Sequence, residues 1–134
     1  MNNLYYFIIS IFVLTWNQTS AQVDSIAGNI FTSEIHQLCI DMENAGCMKY
    51  NYAHLSFSEK RVKIYGSIKV ECTPKSKEND FINDPPIIEM GEYKWTLEDD
   101  KIIIKNFNEI KQLKWTGSFI TGKWSSKVFE FKKN

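Results

Sequence analysis

Three cysteines, two histidines and one acidic run are the residues of this chain whose types could do chemistry: Cys39, Cys47 and Cys72, His36 and His54, and Glu98-Asp99-Asp100. A Cys–His nucleophile pair needs its partners adjacent in space and not in sequence, so Cys39 or Cys72 with His54 is one arrangement to consider. The cysteine spacing lacks C-x-x-C, and no H-E-x-x-H, G-x-S-x-G, Gly-rich phosphate loop or calcium-binding loop is present. His54 alternates onto the wet face of a strand, and three consecutive acids point in different directions, as in a solvated hairpin turn. The expectation is therefore a protein that is not an enzyme, with no metal and no cofactor. Cysteine chemistry then reduces to a disulfide and a leftover thiol, the latter read as a small buried hydrophobe. Pairings 39–47, 39–72 and 47–72 are all open. A hairpin about Met42-Glu43-Asn44 would set Cys39 opposite Cys47, which makes that pair the first choice.

Aromatic residues form the larger set. Phe57, Tyr93, Trp95, Trp115, Phe119, Phe129 and Phe131 are spread over several segments, and convergence of their faces would make either a packed core or the lining of an apolar pocket. Tyr50 and Tyr52 share the strand face opposite to Leu55 and Phe57, which suits an exposed interaction surface.

These side chains need strands to hold them. Val62, Ile64, Gly66, Ile68, Val70 and Cys72 alternate with Lys63, Tyr65, Ser67, Lys69 and Glu71, the period of a strand with one buried face. Ala53, Leu55 and Phe57 alternate ahead of a turn at Ser58-Glu59-Lys60-Arg61, giving a hairpin of roughly 48–57 with 61–72. Residues 73–86, with all three prolines, read as the longest loop. Tyr93-Lys94-Trp95-Thr96-Leu97, Ile102-Ile103-Ile104, the stretch from Leu113 to Phe119, and Trp124 to Phe131 continue the rhythm, with a turn at Thr121-Gly122-Lys123. Turns recurring about every ten residues without intervening helices predict an antiparallel up-and-down barrel or sandwich of about 7–8 strands. Ile35, Leu38, Cys39 and Met42 fit a helical stripe, so a short helix within 33–43 is expected, although strand fits the same residues.

The 134 residues carry 16 Lys+Arg and 16 Asp+Glu, a net charge of zero. This excludes the usual nucleic-acid binder, which needs clustered excess base. Neutrality conceals an asymmetry: residues 22–100 hold fourteen acids and eight bases, and residues 101–134 hold two acids and eight bases. Interleaved strands are expected to neutralise each other. Leu4–Leu14 is an eleven-residue apolar run with only Ser10 polar, followed by Asn17-Gln18-Thr19-Ser20-Ala21. These are the parts of a signal peptide over 1–21, cut after Ala21, although Met1-Asn2-Asn3 lacks a basic residue. The run is too short to span a bilayer. The expected product is one secreted or periplasmic domain, 22–134, with no stable membrane span after cleavage.

Leu55-Ser56-Phe57-Ser58 leading into Val62-Lys63-Ile64, and Gly91-Glu92-Tyr93-Lys94-Trp95 leading through an acidic turn into Lys101-Ile102-Ile103-Ile104, resemble the small bacterial lipocalin-like (calycin-type) domains. The closing Gly122-Lys123-Trp124 to Phe129-Glu130-Phe131 agrees, so the resemblance runs over about 55–131. Gly28-Asn29-Ile30 departs from it, with Ile where such families often carry Trp. The resemblance implies a meandering barrel whose interior binds a small apolar ligand. The alternative is a secreted protein-interaction module, of inhibitor or immunity type, using Tyr50, Tyr52 and the 73–86 loop.

Overall fold

The computed structural model describes residues 21–81 and 87–134. The proposed signal segment, Ala21 apart, and the Ile82–Pro86 part of the long loop lie outside the described residues. Eight antiparallel strands close into an up-and-down barrel in sequence order: β1 (Ile30–Met42), β2 (Ala45–Phe57), β3 (Arg61–Thr73), β4 (Ile87–Glu98), β5 (Lys101–Ile104), β6 (Ile110–Trp115), β7 (Phe119–Trp124) and β8 (Lys127–Lys133). Among the described residues no helix is long and apolar enough to cross a membrane.

The alternating segments become strands because each can bury one face. Ala53, Leu55 and Phe57 of β2 and Val62 and Ile64 of β3 point inward, with Phe31, Trp95, Trp115, Ile120 and Phe131 from other strands. Residues 21–26 are helical and place Ile26, fully buried, under this core. Gly28 N–H then donates to the Phe57 carbonyl at 2.8 Å, tying that cap to the β2 end. The acidic run is the β4–β5 turn, with Glu98 in register with Lys101.

Three expectations are corrected. Residues 33–43 are strand, not helix. A bulge between Glu34 and His36 shifts the register by one, so Ile35 packs on the core while Leu38, Ile40 and Met42 resume the alternation. This one-residue slip mimics a helical stripe. Second, Gly122 is in the middle of β7, and the turn falls at Ser125-Ser126. A Cβ at Gly122 would sit 2.9 Å from Ile110 Cγ2 and Leu113 Cδ2, so glycine is there for close approach of strand to core. Third, strands in sequence order do not interleave: β5–β8 are contiguous in the wall, so the basic last third forms one side of the barrel.

The wall is uneven in height. β1, β2 and β3 have 13 residues each and β4 has 12, against four to seven in β5–β8. At about 3.3 Å per residue the long strands run about 43 Å and the short ones about 13–23 Å. Among the described residues β1 pairs with β8 only at Phe31 and Thr32, and β3 pairs with β4 only from Arg61 to Ser67. Beyond these points β1, β2 and β3 continue as a three-stranded wall that no other strand faces among the described residues, with the 3₁₀ segment Lys75–Phe81 packed on its β3 end.

Candidate functional site

Of the seven aromatic residues read as either packed core or pocket lining, four are packed into the closed half of the barrel. Phe57, Trp95, Trp115 and Phe131 are all buried. Phe57 meets Trp95 edge-on at 4.8 Å, and Phe31 meets Phe57 at 5.9 Å and Trp115 at 5.6 Å. Phe31, absent from the sequence-derived set, therefore joins two of its members. Trp95 Nε1–H donates to the Ser58 carbonyl at 2.9 Å, which satisfies the indole in this apolar setting. Tyr93 and Phe129 pack on the core margin, Tyr93 against Phe107 at 4.9 Å. Phe119 does not join them. It precedes the inward Ile120 on β7, so alternation turns it outward.

The disulfide joins Cys47 to Cys72, and Cys39 is free and exposed. This corrects the expected 39–47 pair, and the register gives the reason. Cys39 lies opposite Met48, whereas Cys47 lies between Ile40 on β1 and Cys72 on β3. Neighbours in sequence alternate between faces, so Cys39 projects from the opposite face of the wall to Cys47. Cys72 is thereby committed, and its backbone N–H donates to Glu78 Oε1 at 3.3 Å on the 3₁₀ turn Lys75–Phe81.

His54 is on the outer face of β2, as expected, but it is partly buried and fully engaged. Its Nδ1 lies 2.8 Å from Thr32 Oγ1 and its Nε2 2.6 Å from Ser67 Oγ, so one ring ties β1, β2 and β3. The ring stacks on Tyr65 at 4.6 Å, with Tyr52 beside it at 6.5 Å. Burial holds the imidazole below the ordinary histidine range. The unfolded chain then takes up this proton first, so His54 contributes stability that is intact above about pH 6.5 and is lost as pH falls toward the folded value. The urea midpoint is expected to drop on acidification through this window, and His54→Gln to remove that part of the drop. A ring titrating at or above 6.5 by NMR would contradict this.

The open wall presents the remaining feature. By alternation from Leu55 and Ile64, its inner face carries His36, Leu38, Ile40 and Met42 from β1, Cys47, Lys49 and Asn51 from β2, and Ile68, Val70 and Cys72 from β3. Leu38 is 48% exposed, and Ile88, in register with Gly66 at the β4 lip, is 47% exposed. Asn51 lies between His36 and Ile68, and its Oδ1 is buried without a hydrogen-bond partner among the described residues. An unpaired buried carbonyl oxygen costs about 1–3 kcal/mol, so this acceptor is conspicuous on a mainly apolar face.

No protein-family model, curated protein or solved structure matches the chain. Sequence reasoning had identified Ile68 and Val70 as inward-facing strand residues. Not legible was that, among the described residues, no strand faces their part of the sheet, because that depends on the relative lengths of strands far apart in the chain.

Proposed function

We propose that this is a secreted or periplasmic binding protein of lipocalin-like type, exported by cleavage after Ala21, whose ligand is a small, mainly apolar molecule carrying one hydrogen-bond donor. The ligand lies beyond the closed part of the barrel, against the inner face of β1–β3, and not among the packed aromatics. The observation that carries this reading is the orphaned Asn51 Oδ1 set within an apolar wall. A donor on the ligand would relieve its desolvation cost, and the ligand body would cover Leu38, Ile68, Val70 and Ile88. A 1-aminoanthracene titration tests it, because this probe is an apolar ring system with one amine donor. Saturable fluorescence enhancement is expected. Asn51→Leu should weaken binding about tenfold, in line with one lost hydrogen bond of about 1.4 kcal/mol, and Ile68→Glu should abolish it. Equal binding by both variants would refute the site.

A second reading is favoured by the outer face, where Tyr52, His54 and Tyr65 cluster and half-buried Tyr50 continues the row on β2. That surface suits a protein partner. Refusal of apolar probes by the wild-type chain would move the assignment there.

A further inference from the structure

The barrel wall is thinnest between β5 and β6. These strands share one register pair, Lys101↔Lys114, flanked by a 2.7 Å hydrogen bond from Trp115 N–H to the Asp100 carbonyl. Above that pair they diverge. Ile102, Ile103 and Ile104 have their register partners on β4. On β6, Ile110 and Lys111 pair with β7 at Trp124 and Lys123, and pairing resumes at Lys114↔Thr121. Gln112 and Leu113 are thus in register with neither neighbour, and Gln112 stands at φ 54°, the left-handed region. Such backbone costs on the order of 1–3 kcal/mol and tends to persist where a segment is shaped for contact.

A groove of about 620 Å³ occupies the divergence. Buried Ile102, Ile110 and Leu113 form its floor, and Lys101, Lys111 and Lys114 line its rim, with no acid among its lining residues. Asp100 holds Lys114 at 2.8 Å, and among the described residues no carboxylate lies within ion-pair distance of Lys101 or Lys111. The whole β5–β8 side is basic.

We propose that this groove takes an extended acidic peptide segment of a partner protein, added as a strand between β5 and β6. The backbone of β5 that faces away from β4, together with the unladdered Gln112-Leu113, offers the hydrogen-bonding edge that strand addition needs. An added strand sends alternate side chains to opposite faces. Small apolar residues then face Ile102, Ile110 and Leu113 while the intervening Asp or Glu reach Lys101 and Lys111. The recognised chemistry is an alternating acidic–apolar strand, separate in place from the apolar ligand of the wall.

Fluorescence anisotropy with a labelled Glu-Val-Glu-Val-Glu-Val peptide and the full chain tests the proposal. Binding is expected for this peptide and at least tenfold weaker binding for its Lys-Val counterpart. A version N-methylated at alternate residues, which loses ladder donors but keeps charge, should also lose at least tenfold. Lys111→Glu should erase the charge preference, and backbone amides of Ile102–Ile104 and Leu113 should gain exchange protection on binding. Undiminished binding of the N-methylated peptide would overturn strand addition. Displacement of the peptide by sodium laurate at lower concentration than by unlabelled peptide would overturn the peptide as occupant and assign the groove to an anionic amphiphile. The three-peptide comparison decides the matter even if Lys111→Glu does not fold.

Discussion

Phe31→Ala is expected to destabilise the chain by about 3–5 kcal/mol, a large part of the stability of an ordinary domain. Phe31 has no solvent exposure and joins Phe57 and Trp115 edge-to-face. It also sits where the barrel closes, in register with Leu55 on one side and Lys133 on the other. Truncation removes the apolar burial of a benzyl group and leaves a void that the surrounding rings, fixed from different strands, cannot readily fill. Urea unfolding followed by tryptophan fluorescence measures the loss. Phe119→Ala is the control: the same deletion on an outward side chain should cost less than about 1 kcal/mol. Similar losses for the two variants would show that the core has been misplaced.

The second large effect is expected from the disulfide. Replacing Cys47 and Cys72 together by serine should cost about 3–4 kcal/mol, the chain-entropy value for a cross-link spanning 25 residues. The bridge lies on this wall, where β3 beyond Ser67 has no β4 partner among the described residues. Its loss should therefore show first as faster amide exchange in residues 45–52 and 67–73. Cys39→Ser, which alters an exposed thiol, should stay within about 0.5 kcal/mol of wild type. An unchanged urea midpoint in dithiothreitol, or a Cys39→Ser cost equal to that of the double variant, would be incompatible with this pairing.

Much of the architecture was legible because alternation is a local signal. The run from Val62 to Cys72 and the acidic turn at Glu98-Asp99-Asp100 were readable residue by residue, and they led to an antiparallel barrel or sandwich, of which the structure is the barrel. What failed depended on relations between distant segments. The bulge at Glu34/His36 made a strand look helical, and only the register against β2 exposes it. The cysteine pairing turns on which face each residue occupies, so a hairpin drawn from spacing alone chose the wrong partner for Cys47. Gly122 reads as turn punctuation in isolation, yet it is a close-approach position under Ile110, Leu113 and Phe131. Phe31 lay inside the one segment whose period was ambiguous. The candidate wall was half legible: Ile68 and Val70 were placed on an inward face, but that no described strand opposes them follows from the short strands β5–β8 much later in the chain.

The sequential strand order has an electrical consequence. Because β5–β8 stand side by side, the eight bases and two acids of residues 101–134 oppose an acidic remainder across the barrel's width. The molecule is a permanent dipole with no net charge. Where salt is low and screening lengths reach about 30 Å, neighbouring molecules attract basic side to acidic side, and each turns its basic side toward any anionic surface. At about 0.15 M salt, with a screening length near 8 Å, both tendencies collapse. Ionic strength, more than the zero in its charge sum, is expected to govern how this barrel orients toward charged surfaces.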